Sequence, residues 1–326
     1  MSEARTVVAS AAARLHLGFL DLNGGLGRRF GSIGLAMDGP RTRLSLRHSV
    51  AQRAQGPDKA RAEEHLAALA ARASLGNSYA LTMHEAIPAH AGLGSGTALA
   101  LAVAAAFRRL EGLRPDTRDA AALARGERSG VGIAIFRKGG FVVDGGRGPA
   151  TREPPILVRL PFPRSWRILL IQDPARRGVH GDEERQAFAT LGRFGEAQAD
   201  RICRLVLMQL LPGLAERRID AFGTALRSIQ ECLGDYFAPA QGGARFTSPE
   251  VAAALHLLER EGAHGIGQSS WGPTGFAFAE SETAARRLRE ALRSAGIGPK
   301  LDISIRRGVN TGAEVEIEEP RRAAAL

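Results

Sequence analysis

Apolar and polar residues change rhythm along this chain, and each change marks an element. The segments "TVVAS", "ARLHLGFLDL", "SIGLAM" and "TRLSLRH" are short and rich in β-formers, and the last alternates with period two, which predicts four short strands. A glycine/arginine loop, "NGGLGRRFG" at Asn23 to Gly31, separates the second from the third. Helical spacing follows over about 59–74, then a strand "YALTMHEAI". Beyond the turn "PAHAGLGSG" there is no charge until Arg108, so the pattern predicts a buried helix over Ser95–Leu110. A helix near 117–124 and a glycine-punctuated strand pair, "GVGIAIF" and "GGFVVDGG", complete this half.

Five prolines between 147 and 163 mark a domain joint. After it come a buried strand "WRILLIQD" and helices over roughly 182–191, 195–211, 215–232 and 248–261. A strand "GIGQ", a loop "SSWGPTG", a strand "FAFAE", a helix at 282–294 and a strand "LDISIRR" follow. Both halves are therefore expected to be α+β, with domains at 1–155 and 156–312 and a frayed tail at 313–326.

With 326 residues, 44% of them hydrophobic, the chain can bury a sizeable core. It holds no 18-residue apolar run, and "MSEARTVVAS" lacks the order of a signal peptide, so the expected compartment is the cytoplasm, away from membranes. Cys203 and Cys232 are too few for a disulfide framework or a zinc site and read as core residues. The net charge is +10, carried by arginine, since only Lys59, Lys138 and Lys300 are lysines. That balance suits a polyanionic partner, or simply a GC-rich genome. Aromatic residues make up only 5% and do not alternate with basic ones, which argues against nucleic acid as the partner.

The glycine-rich turn is the most specific local signal. A helix N-terminus presents unpaired N–H groups and partial positive charge. Gly92, Gly94 and Gly96 let a ligand approach the backbone, and Ser95 and Thr97 add hydroxyls that can cap the helix, bind phosphate or face a metal ion. Arg28 and Arg29 in the early loop either reach over an anion or form a solvated pair. Asp21 caps the following turn or belongs to the site; Asp144, before Gly145-Gly146, repeats that placement. Asp182 reads as a helix cap, Glu184 as a magnesium or substrate contact, and His16 as a core residue. His90 lies inside the anion loop. No histidine spacing suggests a transition metal.

The turn "PAHAGLGSGTA" resembles the Pro-x-x-x-Gly-Leu-Gly-Ser-Ser-Ala signature of the GHMP superfamily, named for galactokinase, homoserine kinase, mevalonate kinase and phosphomevalonate kinase. Gly96 stands where many of those kinases have a second serine. Their Ser-Gly-x-Asp segment appears here as "SGVG": Ser129 and Gly130 align, and Gly132 takes the place of the catalytic aspartate. Three segments, "RLHLGFLDLNGGLGRRFGSIGLAMDGP", "GLGSGTALALAVA" and "SGVGIAIFRKGGFVVDGG", with a weaker "GDEERQAF", resemble the β-ribofuranosylaminobenzene 5'-phosphate synthase branch more closely.

The resemblance implies a two-domain GHMP kinase-like α+β fold, with an N-terminal half like the second domain of ribosomal protein S5 and an α/β sandwich C-terminal half. It implies a decarboxylating phosphoribosyltransfer in tetrahydromethanopterin biosynthesis. Phosphoribosyl pyrophosphate loses pyrophosphate, the carboxyl-bearing carbon of 4-aminobenzoate attacks, and carbon dioxide leaves. Magnesium is the expected cofactor, with unassigned ligands and no organic cofactor, and the expected assembly is a homodimer. On this reading Asp21 and Arg28 are catalytic. Arg29, Gly92, Leu93, Gly94, Ser95, Gly96, Thr97, Ser129, Asp144, Glu184, Ser269 and Ser270 contact substrate, the last two from the loop that corresponds to the superfamily's third glycine-rich motif. Trp271 either covers the arene or plugs the joint between the halves. The competing readings are an ATP-dependent GHMP kinase, against which Gly96 and Gly132 argue, and a non-catalytic basic protein that binds polyanions.

Overall fold

A computed structural model describes residues 5–126, 128–179 and 181–318; the side chain of Asp182, expected as a cap, lies outside the description. The first two strands are much longer than the sequence pattern suggests. β1 (Thr6–Asp21) and β2 (Phe30–Ser49) form one antiparallel hairpin whose register runs from Thr6 opposite Arg47 to Asp21 opposite Phe30. The first predicted pair merges because residues 9–13 are Ala and Ser, which keep the alternation of buried and half-buried positions without a glycine or proline to stop it, while the second pair merges in β2 across Gly39-Pro40. The glycine/arginine loop is the tip of this hairpin.

β3 (Arg53–Gln55), α1 (Lys59–Arg72) and β4 (Ser78–Glu85) follow, then α2 (Ser95–Leu110), which matches its predicted bounds. Ala98, Leu99, Ala102, Val103, Ala106 and Phe107 of α2 are buried against the sheet. The predicted helix near 117–124 is only one turn, α3 (Asp119–Ala122).

"GVGIAIF", expected as a strand, is the helix α4 (Val131–Lys138). In so short a run, apolar alternation and helical spacing coincide. Val131, Ala134 and Ile135 pack on Ala36 and Val142, while Ile133 faces Leu101 and Ala120. Ser129 Oγ accepts the Val131 N–H at 3.2 Å, and Gly139, at φ 60°, ends the helix.

β5 (Phe141–Asp144) pairs with β2, and β6 (Ile156–Leu160) pairs with β5, so the first sheet extends past the expected boundary at 155. The second half opens with β7 (Arg167–Gln172) and α5 (Gly181–Thr190). The helix expected over 195–211 is instead α6 (Glu196–Leu205), a π-helical turn at Val206–Leu210, and α7 (Leu211–Ala215). Then come α8 (Ile219–Phe237), a short 3-10 turn at Ala238–Gln241, and α9 (Pro249–Arg260). β8 (His264–Gln268), β9 (Gly275–Ala279), α10 (Glu282–Ser294) and β10 (Asp302–Arg306) complete a four-stranded sheet in the order β10-β7-β9-β8.

The expected frayed tail is corrected by β11 (Glu314–Glu318), which pairs with β1 through Thr6 to Ser10. Its pattern, Glu-Val-Glu-Ile-Glu, alternates charged residues with Val315 and Ile317, which pack on the core, as an edge strand requires. The first sheet thus has seven strands, with path β11-β1-β2-β4-β3 and β5 and β6 branching from β2.

α9 and α10 cover one face of the second sheet through Leu255, Leu258, Leu288 and Leu292. α8 covers the other face and also touches β1, so one apolar cluster runs from Val7 to Phe278 and joins the halves. Phe162, Trp166, Phe222 and Phe278 lock the joint, with ring centroids 5.3–6.3 Å apart. Cys203 and Cys232 are half-buried rather than core residues.

Candidate active site

The mouth of α2 opens at the join of the two halves. Gly94 is the N-cap, at φ 77°, and Ala98 N–H is bonded to its carbonyl at 3.2 Å. Ser95, Gly96 and Thr97 precede that bond, and their N–H groups point out of the helix end. No side chain caps this terminus, so of the three roles open to the Ser95 and Thr97 hydroxyls capping is not observed.

The loop before the helix is held from beneath. Arg14 N–H bonds the carbonyl of buried Leu93 at 3.1 Å, and Ser269 Oγ donates to the Gly92 carbonyl at 2.7 Å. The same Ser269 oxygen accepts His16 N–H at 2.9 Å, and Ser270 N–H bonds the His16 carbonyl at 3.3 Å. Ser269 is fully buried, so its hydroxyl stitches β1, the glycine loop and the β8–β9 loop together. Gly92 is obligatory here: its φ is +75°, and a Cβ would sit 2.2 Å from the Ser269 carbonyl oxygen. His90 carbonyl accepts Gly178 N–H at 2.9 Å, which docks the loop after β7 on the same structure.

The guanidinium groups at the helix mouth are not those singled out in the sequence. The Arg14 side chain runs under Gly94, where a Cβ would lie 2.7 Å from its Cγ, and its Nη1 is 3.4 Å from the Gly92 carbonyl. Burial lowers its pKa to about 10, with Glu184 and Asp144 acting in the opposite direction, so it remains charged at neutral pH. Arg125 Nη1 lies 2.8 Å from the Cβ position of Gly96. Arg128 pairs with Glu184, and its guanidinium stands 5.6 Å from the Phe188 ring centre. The sequence signals were faint: Arg14 opens "RLHLGF", and Arg125 and Arg128 sit in "ARGERSG" just before Ser129-Gly130.

Arg28 and Arg29 serve the hairpin tip instead. Arg28 is exposed and donates from Nε to the Gly145 carbonyl and from Nη2 to that of Gly146, both at 2.8 Å. Arg29 Nε donates to the Leu22 carbonyl at 3.0 Å. Arg28 therefore ties the tip to the turn after β5, beside Asp144.

The carboxylates also have occupied oxygens. Asp21 Oδ1 accepts Asn23 N–H at 2.6 Å and Gly24 N–H at 2.9 Å, which is the turn-capping arrangement. Asp144 is fully buried; its two oxygens accept the N–H groups of Ser32, Gly130 and Gly146 at 2.8–3.0 Å and the Ser129 hydroxyl at 3.3 Å. Burial pushes the Asp144 pKa up, against those hydrogen bonds. Glu184 holds Arg128 and accepts Trp271 Nε1–H at 3.1 Å. Among the described residues no three His, Cys, Asp or Glu side chains gather as metal ligands.

α4 begins beside α2. A Cβ on Gly132 would come 3.0 Å from Thr97 Cγ2, so the two helices meet at the position where a kinase would carry its base. Glycine here offers no proton acceptor, and a Cβ would need Thr97 to give by a few tenths of an ångström.

This architecture, a glycine loop at a helix mouth between two α+β halves, is that of the GHMP superfamily. Residues 61–140 match the GHMP kinases N-terminal domain and 210–298 the GHMP kinases C-terminal one. The homoserine kinase of Cytophaga hutchinsonii superposes with a TM-score of 0.67 over 97% of this chain and 98% of its own, at 18% identity. The mevalonate diphosphate decarboxylase of Staphylococcus aureus gives 0.65 over 97% and 99%, at 13%. These establish the fold.

Sequence relatives narrow the class. The β-ribofuranosylphenol 5'-phosphate synthase of Archaeoglobus fulgidus is 33% identical over 94% of this chain and 98% of its own. That of Methanothermobacter thermautotrophicus is 29% identical over 85% and 89%. The chain belongs to the β-ribofuranosylphenol 5'-phosphate synthase family and is an enzyme of the transferase type.

Proposed function

We propose that the enzyme transfers the phosphoribosyl group of phosphoribosyl pyrophosphate to the carboxyl-bearing carbon of a para-substituted benzoate. The bond from the anomeric carbon to pyrophosphate breaks, and pyrophosphate leaves with the electron pair. A ring π pair forms the new carbon–carbon bond. The carbon–carboxylate bond then returns its electrons to the ring as carbon dioxide departs. No proton has to be removed from carbon.

The observation that carries this reading is the combination at the α2 mouth: Arg14 and Arg125 against the open N–H groups, and Gly132 in place of a base. Concentrated cationic and N–H donors suit a doubly phosphorylated sugar whose leaving group gathers charge. A missing base suits a reaction that needs none. A para donor substituent feeds electrons to the attacking carbon, which removes the need for an organic electron sink. The relatives' names speak of a phenol and the sequence resemblance of an aminobenzene; both substituents donate in this way. Magnesium would arrive with the pyrophosphate it neutralises, with substrate and water as most of its shell. The reaction is the one the resemblance sets in tetrahydromethanopterin biosynthesis.

The test is to supply phosphoribosyl pyrophosphate, magnesium and carboxyl-labelled 4-hydroxybenzoate or 4-aminobenzoate, and to count released carbon dioxide. Label released with either acid and dependent on the donor is expected. Hydrolysis of ATP coupled to phosphorylation of a small alcohol, without label release, would establish a kinase instead.

A further inference from the structure

Behind Trp271 lies a cavity of about 200 Å³, between β1, α8 and β8. Its walls are largely rings and aliphatic groups: His16, Phe19, Leu233, Phe237, Ile266 and Trp271. The His16 and Phe19 rings are 4.5 Å apart, those of Phe237 and Trp271 4.6 Å, and those of Phe19 and Phe237 6.4 Å. An apolar cavity of about 150 Å³ is enough to admit benzene, so this space accepts one substituted six-membered ring.

The polar groups on its wall are mostly committed. Gln230 Nε2 donates to the Leu17 carbonyl and Gln268 Nε2 to Gln241 Oε1, both at 2.8 Å. At the rim Arg227 is paired with Glu231 and Glu259. His16 is among those that are not. It is 3% exposed, lines the cavity, and neither of its ring nitrogens has a hydrogen-bonding partner among the described residues. Its ring nitrogens are therefore open to a hydrogen bond with whatever occupies the space beside them. His16 also stands two residues from Arg14 on the same strand, roughly 7 Å along it and on the same face, and close enough for the guanidinium to act on the imidazole. The ring cavity and the anion cradle are therefore neighbours.

We propose that this cavity seats the six-membered ring of the benzoate acceptor and that His16 hydrogen-bonds a polar substituent of that ring. The assignment rests on the phosphoribosyl reading for the identity of the ligand, and on the cavity and His16 for its place. Trp271, whose indole N–H is held by Glu184, forms one wall and reports occupancy.

The experiment titrates phenol, a neutral probe, into the full-length protein without donor and follows tryptophan fluorescence. A saturable change is expected, lost in Trp271→Phe. In Ile266→Phe, which drives a ring into the cavity, phenol binding and the acceptor KM should each weaken at least tenfold. Binding of inorganic pyrophosphate by calorimetry should stay within twofold, which shows the fold intact. His16→Leu should weaken phenol at least tenfold, and His16→Gln, which keeps a hydrogen-bonding group, should recover most of it. Equal phenol affinity in the wild type and Ile266→Phe overturns the ring site, as does an unchanged acceptor KM in that variant while carbon dioxide is still released; the phosphoribosyl reading then survives. Phenol binding that obeys these expectations, with no carbon dioxide release from any benzoate, sinks the reading of the reaction while the cavity stands as a phenol site.

Discussion

Two alanine substitutions four residues apart in the glycine turn should have opposite effects on stability. In Gly92→Ala the new methyl group would lie 2.2 Å from the Ser269 carbonyl oxygen, where ordinary contact begins at 3.4 Å, so the loop must part from the β8–β9 turn by more than an ångström. Backbone is stiff, and the shift also disturbs the Ser269 hydroxyl bond to the Gly92 carbonyl. A left-handed residue with a Cβ costs about 1–2 kcal/mol, a lost hydrogen bond about 1 kcal/mol, and overpacking about 1–3 kcal/mol. Together roughly 3–6 kcal/mol is at stake, which for a chain of 326 residues, unfolding with about 0.7 kcal/mol/K of entropy, lowers Tm by about 4–9 °C. In Gly96→Ala the methyl group meets only the tip of Arg125, at 2.8 Å, which can swing aside. Alanine inside a helix is better than glycine by about 0.5–1 kcal/mol. Its Tm should hold or rise, while the displaced Arg125 raises the donor KM by about tenfold, the weight of a charge-assisted contact. Differential scanning calorimetry and donor-saturation kinetics on both variants provide the check. If Gly92→Ala melts within about 2 °C of the wild type, or Gly96→Ala falls as far as Gly92→Ala should, the geometry of the loop is misjudged.

Arg14→Gln removes the cation beneath the helix mouth; with charged hydrogen bonds weighing about 1.5–3 kcal/mol, donor affinity should fall roughly 10- to 150-fold in calorimetric titration while acceptor binding changes little. Burial, and next the Arg14 charge, hold the His16 pKa well below its usual 6.5, so the native state refuses a proton that the unfolded chain takes up. The stabilising contribution is complete above pH 6.5 and is lost as pH falls through the native pKa, at up to about 1.4 kcal/mol per pH unit; His16→Gln should flatten that part of a urea-denaturation pH profile.

The long helix and the glycine loop before it were legible because their signals are local: an uncharged apolar run and a fixed order of glycines. Helices α1 and α10 were legible for the same reason. Strand length was not, since nothing near Ala11 or Pro40 tells the chain to continue a pairing that its partner strand sustains. α4 was misread because eight residues cannot separate two periodicities, and its helical state depends on Asp144 receiving Gly130 N–H from a distance. The tail escaped notice because β11 exists only against β1, some 300 residues earlier in the chain. In the site, glycine spacing pointed to the backbone cradle. The cations did not announce themselves, since one arginine among many looks like any other until β1 carries Arg14 under Gly94. Arg28 and Asp21 drew attention by their neighbours, and in the structure they hydrogen-bond carbonyl and amide groups of turns.

The return of β11 to β1 has a bearing on how the molecule could be dissected or recombined. In sequence terms the second half is an insert, spliced between β6 and β11 of a sheet that both chain ends complete. Cutting once at the proline-rich joint would strip the N-terminal piece of an edge and leave the other fragment trailing a strand with no mate. A chimera that exchanges halves with a related enzyme therefore needs two junctions, and anything fused beyond residue 318 starts from the margin of the N-terminal sheet.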